Sequence, residues 1–210
     1  MKRSERLVDM TKYLMERPHT LIALPFFAKR YGAAKSSISE DLAILKHTLA
    51  SNQDGILETV AGAAGGVRYI PFLGKKHAEV YLSDLSTRIE DPSRILAGGF
   101  VYLSDILGNT QDLRKIGELV ATHYAYEEID AVMTVETKGI ALAQAVARFL
   151  DVPFVTARKR SKVTEGATVS VNYISSSLSR VSKMELPTRA LKKEAKVLIC
   201  LLYTSDAADD

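Results

Sequence analysis

The chain has 210 residues, 47% of them hydrophobic and 25% charged, with a net charge of +3. That is ample apolar material for one large or two small folded units, and too little net charge to mark a nucleic-acid ligand by itself. A single cysteine, Cys200, excludes an internal disulfide framework and suits a reducing cytoplasm.

The first residues, MKRSERLVDMTKYL, carry charge throughout and have no apolar stretch of the kind a signal peptide needs. No apolar run approaches the roughly 20 residues that span a bilayer. The expectation is a cytoplasmic protein with no membrane partner.

In chain order, Ser4 is a candidate cap for a first helix in which Leu7, Met10 and Leu14 recur at helical spacing, ending before Pro18. A second helix opens at Leu24-Pro25, where proline is tolerated, and stops at Tyr31-Gly32, where glycine is a natural C-cap. A third starts near Lys35-Ser36-Ser37, with Ile38, Leu42, Leu45 and Leu49 forming an amphipathic stripe. ILETV and VRYIP then flank a glycine-rich turn over 62–66, which reads as a hairpin. Three helices followed by a two-stranded wing is the order of a winged helix-turn-helix, with Gly32-Ala33-Ala34 as the turn. This unit is assigned to residues 1–73.

From residue 74 the pattern changes. A helix covers Lys75 to Ile89, VYLSDIL follows with Tyr102 placed on a strand, and another helix is predicted over 112–126. A buried strand over 131–136, a helix from Gly139 to Leu150 and a strand over 152–157 come next. Strands alternating with helices predict an α/β unit with a largely parallel sheet. After a polar stretch over 158–166, ATVSVNYI and SRVSKMEL suggest a projecting hairpin, and KVLIC (196–200) returns to the sheet.

Three groups of residues carry possible chemistry. The third helix exposes Lys35, Ser36, Ser37, Ser39 and Lys46, with Lys2, Arg3, Arg6 and Arg68 extending the basic surface toward double-stranded DNA. Alone such a face is a solvated surface; with the turn and wing beside it, DNA binding is favoured. The loop Glu136-Thr137-Lys138-Gly139 lies between a strand and a helix, where α/β proteins place ligands and where helix N–H groups meet phosphate. It is equally an ordinary strand-to-helix loop. Arg158, Lys159, Arg160 and Lys162 follow a buried strand and suit an anion, or else solvent. Tyr102 is a core residue or one that stacks on a ligand. His19, His47, His77 and His123 have neither metal-ligand spacing nor a nucleophile partner, so no metal site and no catalytic residue is expected.

Together, RSERLVDMTKYL, SSISEDLAIL, GGFVYLSDILG, DAVMTVETKGIALA and RKRSKVTEGATVSVNYIS resemble the bacterial purine operon repressor family over about residues 1–199. The resemblance implies an N-terminal winged helix-turn-helix joined to a phosphoribosyltransferase-like α/β domain. It implies a homodimeric, non-catalytic regulator of purine synthesis and transport genes. Its effector would be phosphoribosyl pyrophosphate or a related phosphorylated nucleotide, with no other cofactor. By the same resemblance the ETKG loop corresponds to a pyrophosphate-binding loop, and the Arg-Lys-rich segment with its hairpin to a mobile loop over the ligand. The effector set is then Tyr102, Thr137, Lys138, Gly139, Arg158, Lys159 and Lys162.

After KVLI the family continues with paired aspartates and a Gly-Gly-Thr turn that hold ribose and 5′-phosphate. Here the sequence runs Cys200-Leu201-Leu202-Tyr203 to Asp210, and Asp206, Asp209 and Asp210 sit in no comparable context. The expectation is an incomplete effector domain over 74–199 and a divergent, non-native tail over 200–210. A phosphoribosyltransferase enzyme with a DNA-binding arm, and a fragment without function, are the rivals to the repressor.

Overall fold

The computed structural model describes residues 1–62, 65–160, 163–175 and 180–202. Helix α1 (Arg3–Met15) begins one residue before Ser4, which therefore is not its cap. The Glu5 carboxylate instead accepts the Lys2 backbone N–H at 2.9 Å, which fixes the helix start at Arg3. Helix α2 (Leu24–Tyr31) has proline in its first turn, and Gly32 closes it in the left-handed region at φ 59°. Helix α3 (Lys35–Asn52) and the antiparallel pair β1 (Ile56–Val60) and β2 (Gly66–Ile70) complete the expected order. Ala63 and Ala64 of the wing turn lie outside the described residues.

Ile22 adds a third rung to the wing. It exchanges two backbone hydrogen bonds with Val67, at 2.8 and 2.9 Å. The approach is so close that a Cβ at Gly66 would collide with the Ile22 carbonyl, so only glycine fits there. The core beneath is Met10, Leu14, Phe27, Ile38, Leu42, Leu45, Leu57, Val67 and Tyr69. Phe27 is fully buried, at a position where truncation to alanine costs about 3–5 kcal/mol.

One charged residue belongs to this core. Asp41 lies on the α3 face beside Ile38 and Leu42 and is fully buried. Arg6 and Arg3 of α1 each donate a side-chain hydrogen bond to one of its oxygens. Burial by itself would raise the Asp41 carboxyl, yet these two guanidinium groups hold it below the usual carboxylate range. The pair ties α1 to α3 and sets how α3 is presented.

The join between the units is not slack. The Leu73 N–H donates to Thr122 Oγ1 at 2.8 Å, and the Gly74 N–H donates to the Gln53 carbonyl at 3.0 Å. Helix α4 (Lys75–Ile89) starts at Gly74 and buries none of its residues. Arg88 makes a bidentate pair with Asp112 at 2.9 and 2.6 Å, and Tyr81 donates to the same carboxylate at 3.2 Å.

Tyr102 is not on a strand, contrary to the sequence expectation. Val101 forms a single bridge with Ile95, and Gly98 and Gly99 turn the chain between them at φ 83° and 81°. Arg94 then grips the Tyr102 carbonyl and the Asp105 carboxylate, and a short helix α5 (Ser104–Gly108) starts immediately afterwards. Helix α6 (Thr110–His123) begins and ends earlier than predicted, and its start is set by the Asn109 side chain, which accepts the N–H groups of Gln111 and Asp112.

Strand β3 (Ala131–Val135), helix α7 (Gly139–Leu150) and strand β4 (Phe154–Ala157) form a parallel unit, with β7 (Val197–Ile199) on the other side of β3. The parallel order is β4-β3-β7. The predicted hairpin is present as β5 (Thr168–Ser175) and β6 (Arg180–Pro187), a separate antiparallel ribbon. Of the tail, residues 203–210 lie outside the described residues, Asp206, Asp209 and Asp210 among them.

Because Asp41 is held low, its stabilising effect is full at neutral pH. It begins to fade as the pH drops below about 3.9, the unfolded value, and is gone below the folded one. Asp41→Asn is expected to lower the melting temperature by several degrees at pH 7, and the gap to the unaltered protein should close in acid. Thermal unfolding followed by circular dichroism between pH 7 and about 2, a range that reaches below the unfolded carboxylate value, checks this; equal melting at pH 7 would show that the two arginines do not stabilise α3.

Candidate nucleic-acid interface and anion-binding loop

Along α3 the apolar stripe faces the core, so Lys35, Ser36, Ser39 and Lys46 are exposed and Ser37 is half-buried. Ala34, the N-cap, offers no side chain to the first turn, so the leading N–H groups of α3 lack a side-chain acceptor. Ser39 Oγ donates to the Lys35 carbonyl at 3.0 Å, which leaves its oxygen as an acceptor. Lys35 and Lys46 form no ion pair among the described residues. This is a surface able to take a phosphate backbone, with positive charge at both ends of an exposed helix face.

The arginines assigned to the same surface are differently placed. Arg6 is engaged by buried Asp41, with its side chain 12% exposed, so it acts as a brace. Arg3 reaches both Glu40 and Asp41 but stays about half exposed, at the N-terminal side of the α3 face. Arg68 pairs across the wing with Glu58, its register partner. It lines a groove with His19 and residues 125–129, on the side facing the second unit. Lys2 is exposed at the start of α1.

In the second unit the loop over 136–139 joins β3 to α7 at the end of the parallel sheet, where ligands of α/β folds bind. Thr137 and Lys138 are exposed, and Lys138 occupies the N-cap of α7 without a side-chain cap. Gly139 is buried, and a Cβ there would strike Thr134 Oγ1. The helix N-terminus is therefore drawn tightly onto β3, with its N–H groups and Lys138 at the loop.

Arg158 closes the far side of this loop. Its Nη1 donates to Glu136 Oε2 at 2.7 Å and its Nε to Glu165 Oε1 at 3.0 Å. The Lys159 backbone N–H adds a bond to Glu136 Oε1 at 3.1 Å. The Glu136 hydrogen bond, followed by that of Glu165, raises Arg158 above the usual guanidinium range despite partial burial. Lys159 is half-buried, Tyr102 is half-exposed in the loop before α5, and Lys162 lies outside the described residues. Glu136 and Glu165 are the functional candidates that reading for positive charge passes over. Their signal is an acid at each end of the segment that holds the basic run.

His19 sits at φ 58° where the two units meet, in a groove that it lines with Arg68, Leu150 and Asp151. Burial pulls it below the ordinary histidine range. Among the described residues no three His, Cys, Asp or Glu side chains converge as a metal site, and no helix is long and apolar enough to cross a membrane.

Residues 2–71 match the family "Bacterial purine repressor, N-terminal", and residues 103–200 match the "Phosphoribosyl transferase domain" family. Over 198 residues the chain is 54% identical to the purine biosynthesis transcriptional repressor PurR of Bacillus subtilis (strain 168), covering 94% of this chain and 70% of that protein. It is 47% identical over 199 residues to the purine biosynthesis transcriptional activator PurR of Lactococcus lactis subsp. lactis (strain IL1403), covering 95% and 73%. Adenine phosphoribosyltransferase from Saccharomyces cerevisiae superposes with a TM-score of 0.49 at 20% identity, over 58% of this chain and 70% of that one.

Each phosphate contact contributes about 0.9 to the slope of log affinity against log salt. Replacing Lys35 and Lys46 together with alanine is expected to weaken DNA binding and flatten that slope by about 1.8. Filter binding across a salt series measures it, and an unchanged slope would remove α3 from the phosphate backbone.

Proposed function

The chain belongs to the bacterial purine repressor family, and on that premise we propose that it is a DNA-binding transcriptional repressor of purine biosynthesis and transport genes. In this reading its α/β unit answers to phosphoribosyl pyrophosphate or a related phosphorylated nucleotide. One observation carries it: a single chain joins a winged helix, whose α3 presents exposed Lys35 and Lys46, to a sheet whose β3–α7 loop presents Lys138 and Gly139. The first is suited to a DNA backbone and the second to a phosphoryl group.

The protein is read as a cytoplasmic homodimer. Dimerisation draws support from α4 and the segment after it, where Val80, Leu82, Ile95, Leu96 and Phe100 are exposed together. The close relatives are transcriptional regulators, and the proposal extends this to a non-catalytic phosphoribosyltransferase-like unit. The match over residues 103–200 favours a second reading, an enzyme with a DNA-binding arm. A product-release assay with each purine base separates the two: pyrophosphate released with any base would establish the enzyme.

Calorimetric titration of the 210-residue protein with inorganic pyrophosphate tests the loop. A charge-assisted bond to phosphate is worth roughly 1.5–3 kcal/mol. Lys138→Ala is therefore expected to weaken binding by about tenfold or more. Wild-type affinity in that variant would mean that Lys138 only decorates a solvated loop.

A further inference from the structure

Helix α3 carries two acids side by side, and they are placed differently. Asp41 is buried and held by Arg6 and Arg3. Glu40 turns away from the core, with its side chain 67% exposed. Ser36, Glu40, Ala43 and His47 recur at steps of four, three and four, and all of them are exposed. They form the line of α3 furthest from the buried stripe of Ile38, Leu42 and Leu45. In a helix that enters a major groove, that outermost line is the one that meets base edges.

A carboxylate facing a phosphate backbone is repelled, and an ion pair as exposed as Arg3–Glu40 adds little to folding. What the pair does supply is position. Arg3 Nε donates to Asp41 Oδ1 at 2.9 Å, which anchors the guanidinium, and its Nη2 donates to Glu40 Oε2 at 3.4 Å. One oxygen of Glu40 is thereby tethered to the frame of α1 and α3. The other, Oε1, forms no hydrogen bond among the described residues. The outermost line of α3 thus holds a restrained group that can only accept.

The major groove limits what such a group can bind. Guanine offers acceptors only, and thymine an acceptor and a methyl group. Adenine places its N7 acceptor beside the N6 donor, which repels the second carboxylate oxygen. The N4 amino group of cytosine is a donor without that neighbour on its own base. We propose that Glu40 is a specificity-determining residue of the DNA interface, its carboxylate accepting from cytosine N4 while Arg3 holds it in place. Arg3 is then a positioning residue, and Lys35 and Lys46 supply attraction that is independent of sequence.

This inference rests on α3 being the DNA-binding helix, and the experiment keeps the two apart. Duplexes are selected from a randomised pool by the full chain, by Glu40→Gln, by Glu40→Ala and by Arg3→Ala, and the enriched bases are compared position by position. The unaltered protein is expected to prefer cytosine at one position by about five- to 150-fold over other bases. In Glu40→Ala that preference disappears. In Glu40→Gln it moves to adenine, whose N6 and N7 match the donor and acceptor of an amide. In Arg3→Ala the cytosine preference shrinks without moving to another base, and an undiminished preference there would overturn the positioning role. Identical base preferences in the unaltered protein and both Glu40 variants would overturn the role of Glu40 and leave α3 on the DNA. So would an affinity weakened alike for every sequence. Failure of the folded, unaltered protein to enrich any duplex would overturn the interface and Glu40 together.

Discussion

Helix α7 is constrained along its length in a way that fixes the geometry of the ligand loop and of the seam beside it. At its first residue, Gly139 rests on Thr134 with no room for a methyl group. Midway, the Ala145 backbone is so close to α6 that a Cβ on Gly117 would lie 2.8 Å from it. At its last turn, Leu150 lines the same groove as His19 and Arg68 of the N-terminal unit. The ligand loop, the α6–α7 packing and the seam with the winged helix are thus attached to one rigid segment. Close-packed interiors transmit displacement rather than absorb it, so the loop and the seam cannot be repositioned independently.

The distribution of charge follows a division of labour between arginine and lysine. Arg3, Arg6, Arg30, Arg68, Arg88, Arg94 and Arg158 each hold a carboxylate. Lys35, Lys46 and Lys138 form no ion pair among the described residues. The planar guanidinium forks build much of the architecture, and although Lys12, Lys75, Lys183 and Lys196 are paired, the ammonium groups of Lys35, Lys46 and Lys138 remain available to solvent and to anions. This is why a modest net charge of +3 coexists with a basic helix face: much of the positive charge is neutralised locally where it organises the fold.

Most elements were legible in the sequence because local chemistry determines them. Pro25 and Gly32 bracket α2, the Ile38–Leu42–Leu45 stripe specifies α3, and the short β-branched run AVMTV reads as a buried strand. The departures come from side chains that reach backbone or carboxylate groups which propensity and periodicity do not register. Ser4 has the chemistry of a cap, but the reach of Glu5 back to Lys2 starts α1 earlier. The β-rich run at Val101-Tyr102 is cut short because Arg94 binds both the Tyr102 carbonyl and Asp105. For the candidate sites, the positions of Lys35, Lys46, Lys138 and Gly139 follow from periodicity and loop placement. The engagement of Arg6 by Asp41 and of Arg158 by Glu136 and Glu165 does not, since those partners lie up to 35 residues apart.

The short tether at Leu73 and Gly74 has a mechanical meaning. Gly74 is bonded to the carbonyl of Gln53, at the C-terminal end of α3, while Leu73 is bonded to α6. The 18-residue α3 is therefore pinned at one end and free of the second unit at the other, as a lever about 27 Å long with its fulcrum at the seam. A tilt of about 5° at the fulcrum sweeps the end that bears Lys35 and Ser36 through about 2 Å. That exceeds the tolerance of a hydrogen bond. Because α3 is packed into the core of its own unit, such a tilt carries the whole winged helix as one body, and a small motion at the seam is large enough at the far end to decide whether a DNA groove is gripped or released.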